Sequence, residues 1–486
     1  MVTLSNATIH YCPSCDRTVV GDTVDAYDGT GDTVLIPADT CVWDTMLTLD
    51  SAIVLMGVSR DSVAIKNGEI STNLSDMIIW IEPVTPADSP LIIVTGIEFD
   101  ANNDGGNLNI NNTTSTPYYN FRIHNCRFKN NSAGNEAYMS IRVKGNAFGL
   151  IDSNELDNNN YDFKVYGNDD NTWQLFPGEA NIGTRNYVYI ENNVSTNLNA
   201  YALTSGEGAR WVYRYNTCNI INATQGLDAH GNTNNDGTVA HEAYENTWYS
   251  ERTRAHDIRG GVAIFYNNYY YTYGEAIPNI QIREEDGYKL DDTIYPGIDS
   301  IQNTYIFNNI AVDQSNTLLR LSEYNDTLPP YYNMIAPNRD YWTDQATISG
   351  ANPFTAADFT KDVSANLPGT CTDDDCYWMT DTDSLYRCDG DNNWTFIYTP
   401  YEYPHPLAGG EVAQVRFMTK PFFSLIDTFN TSVICSSHSQ TMNFYLIGKE
   451  GGTLDSSIGL SSGSKDTLVY SGGSDSLAVV GVTKGN

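Results

Sequence analysis

The sequence predicts an all-β chain: a right-handed parallel β-helix, a solenoid of stacked coils, with a small β-domain at its C-terminal end. Two observations predict the solenoid, a recurring apolar-any-any-Asn motif and a Gly-ended alternating strand after each copy. A third, the change to Ser-, Gly-, Thr- and Val-rich sequence after residue 409, sets the last part off.

The motif continues in most copies with one further residue and then an apolar or aromatic side chain. It reads Ile151-Asp-Ser-Asn154-Glu-Leu156, Ile190-Glu-Asn-Asn193, Tyr213-Arg-Tyr-Asn216-Thr-Cys218, Ala243-Tyr-Glu-Asn246-Thr-Trp248, Phe265-Tyr-Asn-Asn268-Tyr-Tyr270 and Ile306-Phe-Asn-Asn309. Ile123-His-Asn-Cys126-Arg-Phe128 opens the series with Cys126 in the Asn position. Successive copies are 28, 39, 23, 30, 22 and 41 residues apart. The short spacings match one coil, the long ones a coil with an inserted loop. Asn at one position of every coil can stack rung on rung, each amide bonding the next and satisfying buried backbone groups.

The second strand reads Ile141–Gly145, Phe163–Gly167, Ala202–Gly206, Leu227–Gly231 and His256–Gly260, then Ile280–Glu284 and Leu319–Glu323 with Gly lost. Alternation with period two sends one set of side chains into the core and the other outward. Terminal glycine allows the corner that turns the coil. Residues 1–70 read as the opening cap and first coils, 71–340 as the β-helix, and 341–409 as its end with a cysteine-containing loop. Residues 410–486 read as a small β-rich domain for attachment or for forming a homo-oligomer.

Composition narrows the partners. The 486 residues are 41% hydrophobic and 18% charged, enough apolar character for a long core. Asp plus Glu number 60 against 26 Lys plus Arg, a formal charge of −34 that repels nucleic acid and anionic membranes. No apolar run approaches the ~20 residues of a membrane helix, and residues 1–30 lack the pattern of a secretory signal. Nine cysteines are an odd number. CPSC at Cys12–Cys15 has no second half to complete a zinc site, so disulfides are the favoured reading. Cys371 and Cys388, at the two ends of a polar Asp- and Thr-rich stretch, are the expected bonded pair.

Several stretches carry a resemblance: GDTVLIPADTCVW (31–43), VTGIEFD (94–100), NYVYIENN (186–193), GARWVYRYNT (208–217), LDAHGN (227–232), IRGG (258–261) and YTPYEYPHPL (398–407). Over roughly residues 20–409 the chain resembles the pectate-lyase-like β-helix superfamily, especially its uncharacterised bacterial, phage and environmental members. That superfamily includes polysaccharide lyases, glycoside hydrolases, epimerases and phage tailspikes. The resemblance therefore implies the fold and an extracellular, cell-surface or virion setting, and it does not choose an activity.

Equivalent positions on neighbouring coils lie about 4.8 Å apart, so aligned coils map a surface. The outward pairs of the Gly-ended strand are Arg142/Lys144, Lys164/Tyr166, Leu203/Ser205, Asp228/His230, Asp257/Arg259, Gln281/Arg283 and Arg320/Ser322. Asp228, His230, Asp257, Arg259 and Arg283 thus share one face and form the candidate catalytic set. The outward ladder of the Asn-bearing strand adds Asp152, Glu191, Arg214, Tyr244 and Tyr266, and the insertions 168–188 and 285–304 are expected to wall a groove. The first insertion presents Trp173. Trp173, Glu191, Arg214, Tyr244 and Tyr266 are the expected substrate-binding residues, rings and charges suited to a polysaccharide.

Two chemistries fit. Hydrolysis would use Asp228 and Asp257 as acid and base, one coil apart and so near the short separation of a retaining enzyme. Elimination from a uronic acid would use Arg259 or Arg283 to neutralise the carboxylate and His230 or an Arg as base, usually with Ca²⁺. Asp100-Ala-Asn-Asn-Asp104-Gly and Asp389-Gly-Asp391 look like calcium loops but read as solvated turns. The competing class is a structural rod, a phage fibre or surface filament, in which the same residues form a ladder of ion pairs.

Overall fold

A computed structural model describes residues 8–68, 70, 77–103, 105–131, 139–167, 182–220, 223–231, 237–250, 254–272, 279–283, 301–311, 320–324, 335–344, 346–347, 359–390 and 392–408. It also describes the strands 429–434, 442–447, 465–470 and 478–484. Two compact units, Met1–Gly409 and Gly410–Asn486, divide the chain.

The first unit is a right-handed parallel β-helix. Each coil carries three strands, for example Val188–Glu191, Val194–Thr196 and Tyr201–Gly206, then Arg210–Arg214, Thr217–Asn219 and Gln225–Ala229. Among the described residues they build parallel sheets of twelve, ten and eleven strands. Register matches apolar residue to apolar residue. Ile151, Ile190, Tyr213, Ala243, Phe265 and Ile306 follow one another along the twelve-stranded sheet. Phe163, Leu203 and Leu227 do so along the eleven-stranded one. These side chains fill one continuous core, closed at its N-terminal end by the helix Arg17–Tyr27 through Val20 and Val24.

The ten-stranded sheet is the element that alternation could not show. Its strands in these coils are three or four residues long and bury one or two side chains, such as Phe128, Leu156, Cys218 and Trp248.

The corner before each short strand repeats. A left-handed residue (Asn125, Ser153, Asn192, Tyr215, Glu245, Asn267 or Asn308, φ 51–58°) precedes the ladder position. Asn193 Oδ1 accepts from the backbone N–H and the Nδ2 of Asn154, both at 3.0 Å. The same double bond links Asn193 to Asn216, Asn216 to Asn246, Asn246 to Asn268 and Asn268 to Asn309. Each amide also donates to a carbonyl of a preceding coil, Asn216 Nδ2 to Ile190 O at 2.9 Å among them. Cys126 joins the ladder through its backbone N–H, which donates to Asn154 Oδ1.

Two expected registers are corrected. Leu203 and Ser205 point inward, paired with Phe163 and Val165, and Thr204 takes the outward place beside Lys164. Ser205 is a polar core residue whose Oγ accepts from Trp211 Nε1 at 2.9 Å and lies 2.9 Å from Thr238 Oγ1, so a hydroxyl occupies a position that hydrophobicity assigns to solvent. Arg320 and Ser322 pair with Asn279 and Gln281, two residues away from the expected alignment.

After the last coil, strands Phe359–Asp362, Cys376–Met379, Ser384–Cys388 and Trp394–Tyr398 form a mixed four-stranded sheet. The expected Cys371–Cys388 disulfide closes its loop. A second disulfide, Cys15–Cys41, ties the start of the helix to the first strand of the ten-stranded sheet, while Cys12 is a buried free thiol. The four-stranded sheet and the segment 398–408 lie on the outer face of the twelve-stranded sheet. There Tyr244, Tyr266, Tyr305 and Phe307 meet Trp342, Trp378, Leu385 and Tyr398 in a second apolar cluster. In the second unit, Phe429–Ile434 pairs antiparallel with Lys465–Tyr470, and Met442–Ile447 with Ala478–Lys484.

Candidate functional site

The outer face of the eleven-stranded sheet carries a polar strip. Rung by rung its outward positions are Trp80, Asn109, Arg142, Lys164, Thr204, Asp228, Asp257 and Gln281. A parallel row two residues on holds Asn111, Lys144, Tyr166 and Gly206, with His230 and Arg259 just past their strand ends. Arg283 has the strand position beyond Ile282, paired with Tyr324. Trp173 and most of both insertions lie outside the described residues.

Asp228, His230, Asp257 and Arg259 come together, with Asp228 at the centre, and the Arg283 side chain lies outside the described residues. Arg259 donates Nε–H and Nη2–H to its two oxygens at 2.9 and 2.8 Å, and His230 Nε2 lies 3.1 Å from Oδ2. Asp257 is the next residue along the ladder, its Oδ2 3.9 Å from Arg259 Nε. Burial pushes the Asp228 carboxyl up, but His230 and Arg259 outweigh it and hold it below the ordinary carboxylate value. Asp228 and Asp257 are each 3% exposed, whereas the His230 side chain is 35% exposed, so the imidazole is the member a ligand reaches first. The arrangement offers an ionised carboxylate, a second carboxyl one rung away, an imidazole and a guanidinium.

Toward the N-terminal end the strip turns cationic. Arg142 and Lys164 occupy adjacent rungs, and both converge on the Tyr166 ring, at 5.9 and 4.6 Å from its centroid. Lys144 Nζ lies 3.5 Å from Glu207. Asn111 Nδ2 and Trp80 Nε1 both donate to Glu82, at 2.6 and 2.9 Å.

The ladder on the twelve-stranded sheet has the expected register, Asp152, Glu191, Arg214, Tyr244, Tyr266 and then Phe307. Its surroundings correct the expectation that it faces solvent. Arg214 is fully buried, bonded to Glu191, to Tyr244 Oη at 2.9 Å, and to the carbonyls of Tyr401 and Glu402 at 2.8 Å each, with its guanidinium over the Tyr189 and Tyr403 rings. Glu191 accepts the backbone N–H of His405, and Tyr266 meets Trp378 and Tyr398. Glu191, Arg214, Tyr244 and Tyr266 therefore hold the chain's own 398–408 segment. Alternation tells which side of a strand a residue is on; it does not tell what covers that side. The aromatic, Pro-rich run YTPYEYPHPL was the available signal for that cover.

Asp100 Oδ1, in the first calcium-like stretch, accepts from Asn102 N–H and Asn130 Nδ2, and Asp389, in the second, accepts from Thr395 Oγ1. Among the described residues, the cluster of His, Cys, Asp or Glu ligand atoms close enough to share an ion is Cys15, Asp39 and Cys41, whose two cysteines are bonded to each other.

No family model and no curated protein matches the chain. Among solved structures it is similar to the Dettilon tailspike protein, at 11% identity and TM-score 0.42, covering 97% of this chain and 91% of that one. It is also similar to ORF18 of Geobacillus virus E2, at 12% identity and TM-score 0.30, covering 78% and 82%. A third likeness is to the catalytic unit of a GH87 α-1,3-glucanase from Streptomyces thermodiastaticus, at 11% identity and TM-score 0.33, covering 70% and 65%. Likeness at this level bears on neither activity nor substrate, and the architecture rests on the chain's own parallel sheets.

Proposed function

We propose that the outer face of the eleven-stranded sheet binds a polysaccharide, with Asp228, His230, Asp257 and Arg259 as the groups that grip or cleave it. The observation that carries this reading is Asp228 itself, an outward carboxylate kept ionised on a rigid ladder between an imidazole and a guanidinium. An ordered row of hydrogen-bonding side chains along one face suits an extended chain of hydroxyl-bearing units better than a compact ligand. In a hydrolytic reading Asp228 serves as base or nucleophile and Asp257 as its partner. In an eliminative reading His230 takes the proton while Arg259 neutralises a carboxylate. Two disulfides fit an oxidising, extracellular or virion setting, and among the described residues no helix is long and apolar enough to cross a membrane.

The test is a panel of neutral and acidic polysaccharides, followed by unsaturated-uronate absorbance and by reducing ends, with and without a Ca²⁺ chelator. New absorbance selects elimination and new reducing ends alone select hydrolysis. Binding without either leaves a glycan-binding protein, and binding to none contradicts the proposal.

A further inference from the structure

Beneath the strip, one inward position breaks an aliphatic row. Along the eleven-stranded sheet that row runs Val143, Val165, Ser205, Ala229, Ile258 and Ile282. Ser205 is fully buried, on the coil just before the one that carries Asp228 and His230. A hydroxyl in an aliphatic core costs free energy unless it is hydrogen-bonded. Ser205 has such partners: its Oγ accepts from Trp211 Nε1 at 2.9 Å, and it lies 2.9 Å from Thr238 Oγ1 and 3.5 Å from the Asp228 carbonyl.

The same two hydroxyl residues hold His230 by its backbone. The His230 N–H donates to Ser205 O at 3.0 Å, and the His230 carbonyl accepts from Thr238 N–H at 2.7 Å. The peptide groups on both sides of the imidazole-bearing residue are thus fixed by the pair whose side chains meet in the core. Thr238, itself fully buried, also lies against the corner that follows Arg259. Gly261 in that corner has φ +75°, and a Cβ on it would collide with Thr238 O, so the two coils touch backbone to backbone there.

We infer that Ser205 and Thr238 are positioning residues: their hydroxyl pair, anchored by the Trp211 indole, sets the His230 imidazole against Asp228. Neither side chain reaches a ligand; both act from inside the core through the residues that do. A site that works through fixed separations needs its groups locked by hydrogen bonds beneath them, and this pair supplies the lock. The polar break in the core therefore falls where the strip needs rigidity rather than at an arbitrary coil. The inference rests on the proposed polysaccharide-binding role of this face and adds the residues that hold its geometry.

Selective ¹³C-histidine labelling reads the cluster without any glycan, with the His230→Ala spectrum assigning the His230 ring signal among the seven histidines. Thr238→Val keeps the side chain's shape and the N–H that bonds His230 but deletes the hydroxyl. Ser205→Ala deletes the other one and strands the Trp211 indole N–H; if it fails to fold, Thr238→Val carries the test. Each variant should move the His230 signal toward that of a solvent-exposed histidine, and Thr238→Ser should hold it at the wild-type position. On a polysaccharide that the panel shows to bind, Thr238→Val should lose about ten-fold in affinity or turnover and Thr238→Ser within about two-fold, both with melting temperatures near wild type. An unmoved His230 signal, a shift that Thr238→Ser does not rescue, or unchanged glycan affinity and turnover in Thr238→Val overturns the positioning role and leaves the polysaccharide reading standing. A rescued shift in a protein that binds no polysaccharide overturns that reading and leaves the lock on His230 standing.

Discussion

Arg259 reaches back across one coil to hold both carboxylate oxygens of Asp228, at 2.9 and 2.8 Å. With both side chains under a tenth exposed, the pair is desolvated, and removing one partner strands the other's charge. Arg259→Gln should cost about 3–5 kcal/mol in urea unfolding, and the Asp228→Asn/Arg259→Gln double variant should recover part of it. A double-variant loss equal to the sum of the Asp228→Asn and Arg259→Gln losses would show the charges do not depend on each other.

The ladder at the coil corner predicts a second loss. Asn216 bonds Asn246 on one side and receives Asn193 on the other. Asn216→Leu should destabilise by on the order of 1–3 kcal/mol by orphaning buried backbone groups. A melting temperature unchanged within error would contradict that role.

These corners were legible in the sequence because a single residue type recurs at a fixed place in every coil. So was the adjacency of Asp228 and Asp257, since alternation and coil order fix it. The short third strands were not, because three residues hold too little alternation to read. Nor was the inward turn of Ser205, which depends on a bond to Trp211 from the next coil. The fate of Arg214 was hidden for another reason: its partners Tyr401 and Glu402 are 187 and 188 residues downstream.

That long-range clamp gives a third prediction. Arg214→Met should leave Glu191 uncompensated and release residues 401–408, costing about 3–5 kcal/mol. Hydrogen exchange at the Leu407 and Ala408 amides should rise well above that of the ladder residues. Uniform exchange across the unit would mean the segment is held by its aromatic contacts alone.

Core titration predicts opposite responses to pH. Burial lowers His241, His256 and His405 to about 3, so the folded chain keeps them neutral. Their contribution is present above the unfolded value near 6.5 and is lost as pH falls through 6.5 toward 3. Asp162, buried against Ser195 and Asn159, is raised to about 7. Its protonated form favours folding below 3.8, and that contribution is lost as pH rises to about 7. Asp162→Asn should therefore stabilise the protein at pH 8, by up to about 4 kcal/mol, with the gain shrinking steadily toward pH 4. A gain independent of pH would mean Asp162 does not titrate in this range.

We propose that the face around Asp228 handles a glycan. Its most direct test is to measure polysaccharide binding and turnover for wild type, His230→Ala and Asp257→Asn beside their melting temperatures. His230 is the partly exposed member of the cluster, so its removal leaves the buried Arg259–Asp228 pair in place. Both variants should lose at least ten-fold in binding or turnover, with the His230→Ala melting temperature within about a degree of wild type. Variants that lose several degrees while wild type neither binds nor cuts any polysaccharide would contradict it, and would make the cluster a structural ladder of a rod.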